Sequence, residues 1–243
     1  MTRLYFPGPI SEHGECRVMA GQAHHVIHVL RLATGDPVTL FDGRGLEYAA
    51  VIDRIEKAVL ILRVGQPREQ SCESSLHIVL AQGISSGERM DFTVQKSVEL
   101  GVSVIQPLTT QRSVVRLKEE RAERRVAHWQ SVSAAACEQC GRNTVPRVLP
   151  VKSFMNWLAE PVIEAESRFL LSPAAPPQRL RDRARPQGQI TLLIGPEGGW
   201  NSEEVLAATV AGFELFGLGP RVLRTETAAV AALAAIQAMW GDL

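Results

Sequence analysis

The sequence predicts an α/β fold: a C-terminal domain built on a parallel sheet, preceded by a small β-rich domain. Three observations lead there. After about residue 72, apolar β-branched runs alternate with stretches of helical period, the pattern of strands joined by crossover helices. Before it, short β-like segments and turn signals dominate. Near the C-terminus, residues 192–200 and 215–228 are two glycine-rich segments that each run from an apolar strand through a bend into a helix.

Taken in chain order, residues 38–41 read as a strand, Asp42-Gly43-Arg44-Gly45 as a turn, and residues 48–52 and 59–64 as further strands, a set that suits a small barrel. The polar stretch 66–75, with Pro67, reads as a linker. It divides the chain into domains 1–71 and 72–243. Residues 76–81 open the second domain as a strand. Met90, Val94 and Val98 then recur at helical spacing through residues 90–100, with Gly101 as the C′ stop. Residues 104–108 and 168–171 are strands. Between them, residues 119–140 form a long helix that turns Val126, Trp129 and Val132 to the core. Residues 190–194 are an unbroken apolar strand. Asn201, three residues before Glu204, fits a capping box, and Glu203 and Glu204 place negative charge at the positive helix end. That helix runs through Val205, Leu206 and Val210 to Gly212. Residues 213–218 are the last strand, and Gly219-Pro220 bends the chain. A final helix follows, capped by Thr225 or Thr227, apolar from Ala228 to Trp240 and ended by Gly241.

Composition sets outer bounds. A chain of 243 residues, 45% hydrophobic, can bury a substantial core. The N-terminus lacks a signal-peptide layout and no run of about 18 apolar residues is present, so a cytoplasmic protein is expected. Cys16, Cys72, Cys137 and Cys140 form no secreted framework and read as reduced thiols; Cys137-x-x-Cys140 lacks a second pair for zinc. Lys and Arg total 26, as do Asp and Glu, so the basic surplus common in nucleic-acid binders is absent overall. It survives locally. Arg112, Arg116, Lys118, Arg121, Arg124 and Arg125 outnumber Glu119, Glu120 and Glu123, while Arg179, Arg181, Arg183 and Arg185 face only Asp182 in a Pro-rich stretch. The first cluster reads either as a basic patch or as a solvated helix face with i,i+4 pairs such as Glu120–Arg124.

The glycine segments carry the chemistry. Their bends strip away side chains and leave backbone N–H and C=O groups able to press against a flat ligand. Neither Gly-x-Gly-x-x-Gly nor Gly-Lys-Ser is present. The acidic Glu197, Glu203 and Glu204 disfavour a pyrophosphate at the helix start and favour a ligand that is cationic or held by its rings. Arg221 and Arg224 lie in the second bend, either functional or paired with a carboxylate such as Glu197. Elsewhere, His24 and His28 stand at i,i+4 with neither the glutamate of a zincin between them nor a third ligand in view. With Arg31 they read better as a phosphate-contacting surface, with an ordinary helix as the competitor. Lys96 and Glu99, near a helix end, are either an ion pair or functional. Glu138, Gln139 and Arg142 form a polar cluster suited to a base edge or phosphate.

Gly195-Pro196-Glu197-Gly198-Gly199 and the run from Leu218 through Arg221, Leu223, Arg224, Thr225, Glu226 and Thr227 to Ala228 resemble the RsmE-type ribosomal RNA methyltransferases of the SPOUT superfamily. Those enzymes methylate N3 of a uridine in bacterial 16S rRNA. Residues 24–32, 95–102 and 138–142 extend the resemblance over nearly the whole chain. It implies a PUA-like RNA-binding β-barrel in 1–71 and a SPOUT methyltransferase domain with a trefoil knot in 72–243. It also implies S-adenosyl-L-methionine bound in a bent form by three loops, residues 170–173 being the third, a homodimer that completes the site, and the small ribosomal subunit as partner. The implied cofactor contacts are Leu171, Ser172, Ile194, Gly195, Pro196, Glu197, Gly198, Gly199, Leu218, Gly219, Arg221, Leu223, Arg224 and Thr225. RNA contacts fall to His25, Arg31, Lys96, Arg112, Glu138 and Arg142, with no metal.

A uracil N3 is not nucleophilic until its proton leaves. Glu197 and Glu226 are the candidate bases, and Arg224 the group to stabilise the developing oxyanion; which carboxylate acts stays open. The target atom lies on the Watson–Crick edge, so the base must be unpaired or flipped out, with Trp200 available to stack on it. Two rival readings remain. In a ribose 2′-O methyltransferase of the same superfamily, the last loop resembles Ser-Leu-Asn where this chain has Arg224-Thr225-Glu226-Thr227. The other rival is a non-catalytic RNA-binding ribosome-assembly factor.

Overall fold

The computed structural model describes residues 2–56, 59–113, 119–161, 166–175 and 183–243. They fall into two compact units, one of Met1–Glu73 with Ala134–Val145, the other of Ser74–Ser133 with Pro146–Leu243.

The first unit carries β1 (Thr2–Tyr5), β2 (Glu15–Val18), α1 (Ala20–His24) continuing into a π turn at His25–Val29, β3 (Pro37–Phe41), β4 (Leu46–Glu56) and β5 (Val59–Glu69). Its sheet runs β1-β3-β4-β5-β2, antiparallel except where β1 lies parallel to β3. Leu4, Val18, Val26, Leu40, Ile52, Leu60 and Leu62 fill its core. The linker expected from Gln66 begins later, because β5 continues to Glu69 and Pro67 pairs with Tyr48. A register shift between Tyr48 and Ala50 accommodates it, since proline has no N–H to give to a ladder. The segment Ala134–Val145 closes onto this unit. The Glu138 carboxylate accepts the Tyr5 N–H at 2.8 Å and the Gln22 amide at 3.0 Å, and the Val145 N–H donates to the Gly43 carbonyl.

The second unit alternates strands and helices: β6 (Ile78–Gly83), α2 (Glu88–Glu99), β7 (Val104–Thr109), α3 (Glu119–Cys140, whose last turns belong to the first unit), β8 (Arg147–Val148), β9 (Lys152–Ser153), α4 (Phe154–Leu158), β10 (Ser167–Leu171), β11 (Ile190–Ile194), α5 (Ser202–Val210), β12 (Glu214–Phe216) and α6 (Thr225–Trp240). Among the described residues its sheet has seven strands, ordered β12-β10-β11-β6-β7-β8 with β9 beside β7, and every pairing is parallel. β11 is buried at all its positions, as a strand covered on both faces must be. On one face Ala81, Leu108, Leu170 and Leu193 pack with Phe154, Ala208 and Phe213. Elsewhere in the unit α2 and α6 pack together, and buried Gln237 of α6 donates to the Leu100 carbonyl at 2.9 Å.

Local signals account for the ends of these elements. Gly101 takes φ +79°, the left-handed position that stops α2. Asn201 and Glu204 form both halves of the capping box on α5. α6 differs from expectation: its N-cap is Arg224, without a side-chain cap, and Thr225 is its first residue with its hydroxyl committed elsewhere. The last strand is shorter than 213–218, because the chain leaves the sheet at Gly217. The four cysteines are free, and among the described residues no helix is long and apolar enough to cross a membrane.

Candidate active site

Because β10, β11 and β12 are parallel and β10 lies between the other two, their C-terminal loops emerge side by side. They enclose a cavity of about 830 Å³, within the range of sites for small organic ligands. Leu171 and Ser172 line it from the first loop, Ile194, Gly195, Pro196, Glu197 and Gly199 from the second, and Leu218, Gly219, Arg221, Leu223 and Arg224 from the third. Thr225 and Glu226 enter from the start of α6 and Arg89 from α2. Of the residues expected to hold a cofactor, Gly198 alone is absent from this wall. It lies under residue 112 instead, where a Cβ would stand 2.9 Å from both the Cβ and the carbonyl oxygen of Arg112. The Arg112 guanidinium donates to the Gly198 carbonyl at 3.2 Å.

A buried amide ties the loops together. Gln82, at the end of β6, is fully buried and donates to the Gly83 carbonyl and to the Thr225 hydroxyl, both at 2.9 Å. That hydroxyl donates onward to the Gly195 carbonyl at 2.5 Å. β6 can come this close only because Gly83 has no side chain: a Cβ there would meet the Pro196 nitrogen at 2.5 Å. The sequence reading missed Gln82. A lone amide inside the apolar strand Ile78–Gly83 was the available signal, since a buried polar side chain must find partners.

The two acidic residues in the cavity differ at one oxygen each. One oxygen of the Glu197 carboxylate accepts the Ser86 N–H at 2.8 Å, the Ser86 hydroxyl at 2.9 Å and the Arg89 guanidinium at 3.3 Å. Its ion-pair partner is therefore Arg89, not Arg221 or Arg224. Burial alone would push the Glu197 carboxyl up. The bonds from the Ser86 and Glu197 backbone, the Ser86 hydroxyl and Arg89 outweigh that and hold it below the usual carboxylate range. Both Glu197 and Glu226 keep Oε2 buried with no hydrogen-bond partner among the described residues. Arg221 and Arg224 are exposed at the rim. Trp200 packs against Phe154, ring centroids 5.2 Å apart, and against Gly195, so it is a built-in wall and not a free platform for a base.

The residues expected to meet RNA divide in two. His25, Arg31 and Arg112 are exposed, and the His24 and His28 rings lie 4.5 Å apart. Lys96 is paired with Glu99 at 2.7 Å, Glu138 holds β1, and Arg142, 5% exposed, is paired with Glu73 at 2.6 Å. No local pattern could show that residues 134–145 close onto the first unit, which is what occupies Glu138 and Arg142. Glu120 and Arg124 form the exposed i,i+4 pair at 3.4 Å, and Arg183 pairs with Glu214. Arg116, Lys118, Arg179, Arg181 and Asp182 lie outside the described residues. Among the described residues no group of three or more His, Cys, Asp or Glu side chains is placed to hold a metal.

Residues 72–237 match the family model of an RNA methyltransferase domain, and residues 20–66 that of an RNA methyltransferase PUA domain. The class that fold and cavity define is thus an RNA methyltransferase. The ribosomal RNA small subunit methyltransferase E of Buchnera aphidicola from Acyrthosiphon pisum is 33% identical over 90% of this chain and 86% of its own, and that of Bacillus subtilis 29% identical over 93% and 91%. A structure of the Neisseria gonorrhoeae enzyme of the same name, bound to S-adenosyl methionine, superposes with a TM-score of 0.92 at 41% identity over 100% of this chain and 99% of that one. A Legionella pneumophila protein solved in complex with the cofactor SAM gives a TM-score of 0.94 at 39% identity, again over 100% and 99%. The chain belongs to the ribosomal RNA small subunit methyltransferase E family.

Proposed function

We propose that this protein transfers a methyl group from S-adenosyl-L-methionine to N3 of a uridine in the 16S rRNA of the small ribosomal subunit, in the decoding region by family resemblance, and that it acts in the cytoplasm as a homodimer. The observation that carries the proposal is the cavity at the ends of β10, β11 and β12, which presents apolar walls, bare glycine backbone and two carboxylates. That donor set fits the cofactor. Leu171, Ile194, Leu218 and Leu223 offer apolar contact to an adenine ring, with Ser172 and Thr225 at the polar edges. Pro196, Gly195, Gly198, Gly199 and Gly219 shape the loops so that main chain, rather than side chain, approaches it. A sulfonium is cationic, and Glu197 and Glu226 favour it where a pyrophosphate would be repelled.

When bound, the cofactor supplies an electrophilic methyl carbon. What the protein adds is position and charge. Holding N3 in line with that carbon removes much of the entropic barrier. Arg224, at the rim, stabilises negative charge on a uracil carbonyl oxygen as N3 loses its proton, and Arg221 supports the same edge. His25, Arg31 and Arg112 supply exposed donors for phosphate. Lys96, Glu138 and Arg142 serve RNA binding indirectly, by fixing the helix ends they occupy.

The test is direct. Incubated with labelled S-adenosylmethionine and small subunits lacking the modification, the protein is expected to yield 3-methyluridine by nucleoside mass spectrometry. A 2′-O-methylated product, or none, overturns the proposal.

A further inference from the structure

We infer that Glu226 is the proton acceptor for uridine N3 and that Glu197 is a positioning residue that never takes the proton, a division that rests on the function proposed above. Glu226 sits in the first turn of the 16-residue α6, lines the cavity, and keeps Oε2 buried and without a partner among the described residues. A buried carboxylate oxygen left unbonded is costly, so such groups mark places where a ligand completes the bonding. An N3–H is a donor that meets this need. Immediately before it, the Thr225 hydroxyl is pinned between Gln82 and the Gly195 carbonyl. The start of α6, and with it Glu226, is thereby held in register with the second loop. Holding a base in place in this way is what separates a catalytic carboxylate from a merely nearby one.

Glu197 also lines the cavity and keeps its Oε2 buried without a partner among the described residues, so it is the other oxygen that sets the two carboxylates apart. The Ser86 N–H, Ser86 hydroxyl and Arg89 guanidinium converge on one of its oxygens, a strap between the β11 loop and the start of α2. A carboxylate stabilised as the anion by three donors is a poor proton acceptor. The charged groups that share the cavity with Glu226 are Arg89 from α2, Glu197 from the loop after β11, and Arg221 and Arg224 from the loop before α6. In the step, the N3 proton passes to Glu226 while the N3 electron pair forms a bond to the methyl carbon. The carbon–sulfur bond breaks with its electrons staying on sulfur, so a neutral thioether leaves, and the carboxyl then returns its proton to water.

The experiment compares E226Q, E226D and E197Q with the wild type, measuring S-adenosylmethionine affinity by calorimetry and methylation of unmodified small subunits across pH. For E226Q the expected result is a fall in kcat of about 10²-fold or more at saturating S-adenosylmethionine. That is far beyond the loss of cofactor affinity caused by removing one carboxylate near the sulfonium, and the binding that remains reports that the variant is folded. Its rate should climb with pH as the nucleobase ionises unaided, and E226D should restore part of the loss. E197Q should instead weaken cofactor binding, without rescue by raised pH. If E226Q keeps the wild-type kcat, if its loss merely follows cofactor affinity, or if E197Q is the variant rescued by alkali, the assignment is overturned. Failure of the underlying function shows differently, as a wild type that makes no 3-methyluridine.

Discussion

Glu197 illustrates how one residue type, placed in a glycine loop, is read differently by pattern and by structure. Its sequence neighbours mark it as part of a ligand loop, but its task is settled by Ser86 and Arg89, more than 100 residues away in the chain. The sign of its pH effect follows. The folded carboxyl is held below its ordinary value of 4.5, so its contribution to stability is fully present above that value and is lost as pH falls through the lowered one. Replacing Glu197 by Gln is therefore expected to lower the thermal midpoint by a constant amount from neutral pH down to the usual carboxylate range, and by a shrinking amount in stronger acid. Melting curves of both proteins over pH check this, and a gap that widens in acid counts against it. Glu197, Glu226 and Arg224, which line the cavity, could be picked out because they flank local glycine and proline signals. Gln82, Ser86 and Arg89 could not, because their meaning depends on contacts that only the folded sheet creates.

Among elements, those bounded by strong local chemistry were readable: the capping box of α5, the Gly101 stop of α2 and the apolar run of β11. Short elements were not. β8 and β9 have two residues each, too few to show a period, and β1 and β2 have four. The second loop shows why glycine content alone does not define a ligand wall. The space a Cβ on Gly198 would need is taken by the Cβ and carbonyl oxygen of residue 112. Gly198→Ala puts a Cβ 2.9 Å from backbone-anchored atoms, and overpacking of this kind costs about 1–3 kcal/mol. Since the loop also carries Gly195, Pro196 and Glu197, cofactor affinity is expected to fall by about tenfold for each 1.4 kcal/mol taken from the loop. The double variant Gly198→Ala with Arg112→Ala should bind no better, because the blocking Cβ and carbonyl oxygen both remain. Calorimetry on the two variants decides, and full recovery in the double variant would show that the guanidinium, not the main chain, sets the space.

For the whole molecule, alternation of strand and helix was enough to fix a parallel sheet, because parallel pairing demands a crossover between neighbours. What sequence order conceals is that the units are not contiguous. Ala134–Val145 belongs with Met1–Glu73, so residues that read as a polar helix end act as a brace: Glu138 on β1, Asn143 on Arg3 and Glu47, Arg142 on Glu73. This placement gives Arg142 two distinguishable roles. As an RNA contact, its removal would weaken RNA binding and leave stability nearly untouched. As one half of a largely buried ion pair, its removal strands the Glu73 carboxylate, at a cost of about 2 kcal/mol or more. The structural role is the one expected. Arg142→Ala should lower the urea midpoint without changing the denaturant slope or the affinity for S-adenosylmethionine, whose cavity lies wholly within the second unit. Arg31→Ala, which removes an exposed cation, should do the reverse, weakening RNA binding and making it less dependent on salt while leaving the urea midpoint in place. Paired unfolding and RNA-binding measurements on these two variants separate a brace from a contact, and an Arg142→Ala protein of unchanged stability would return that residue to the RNA surface.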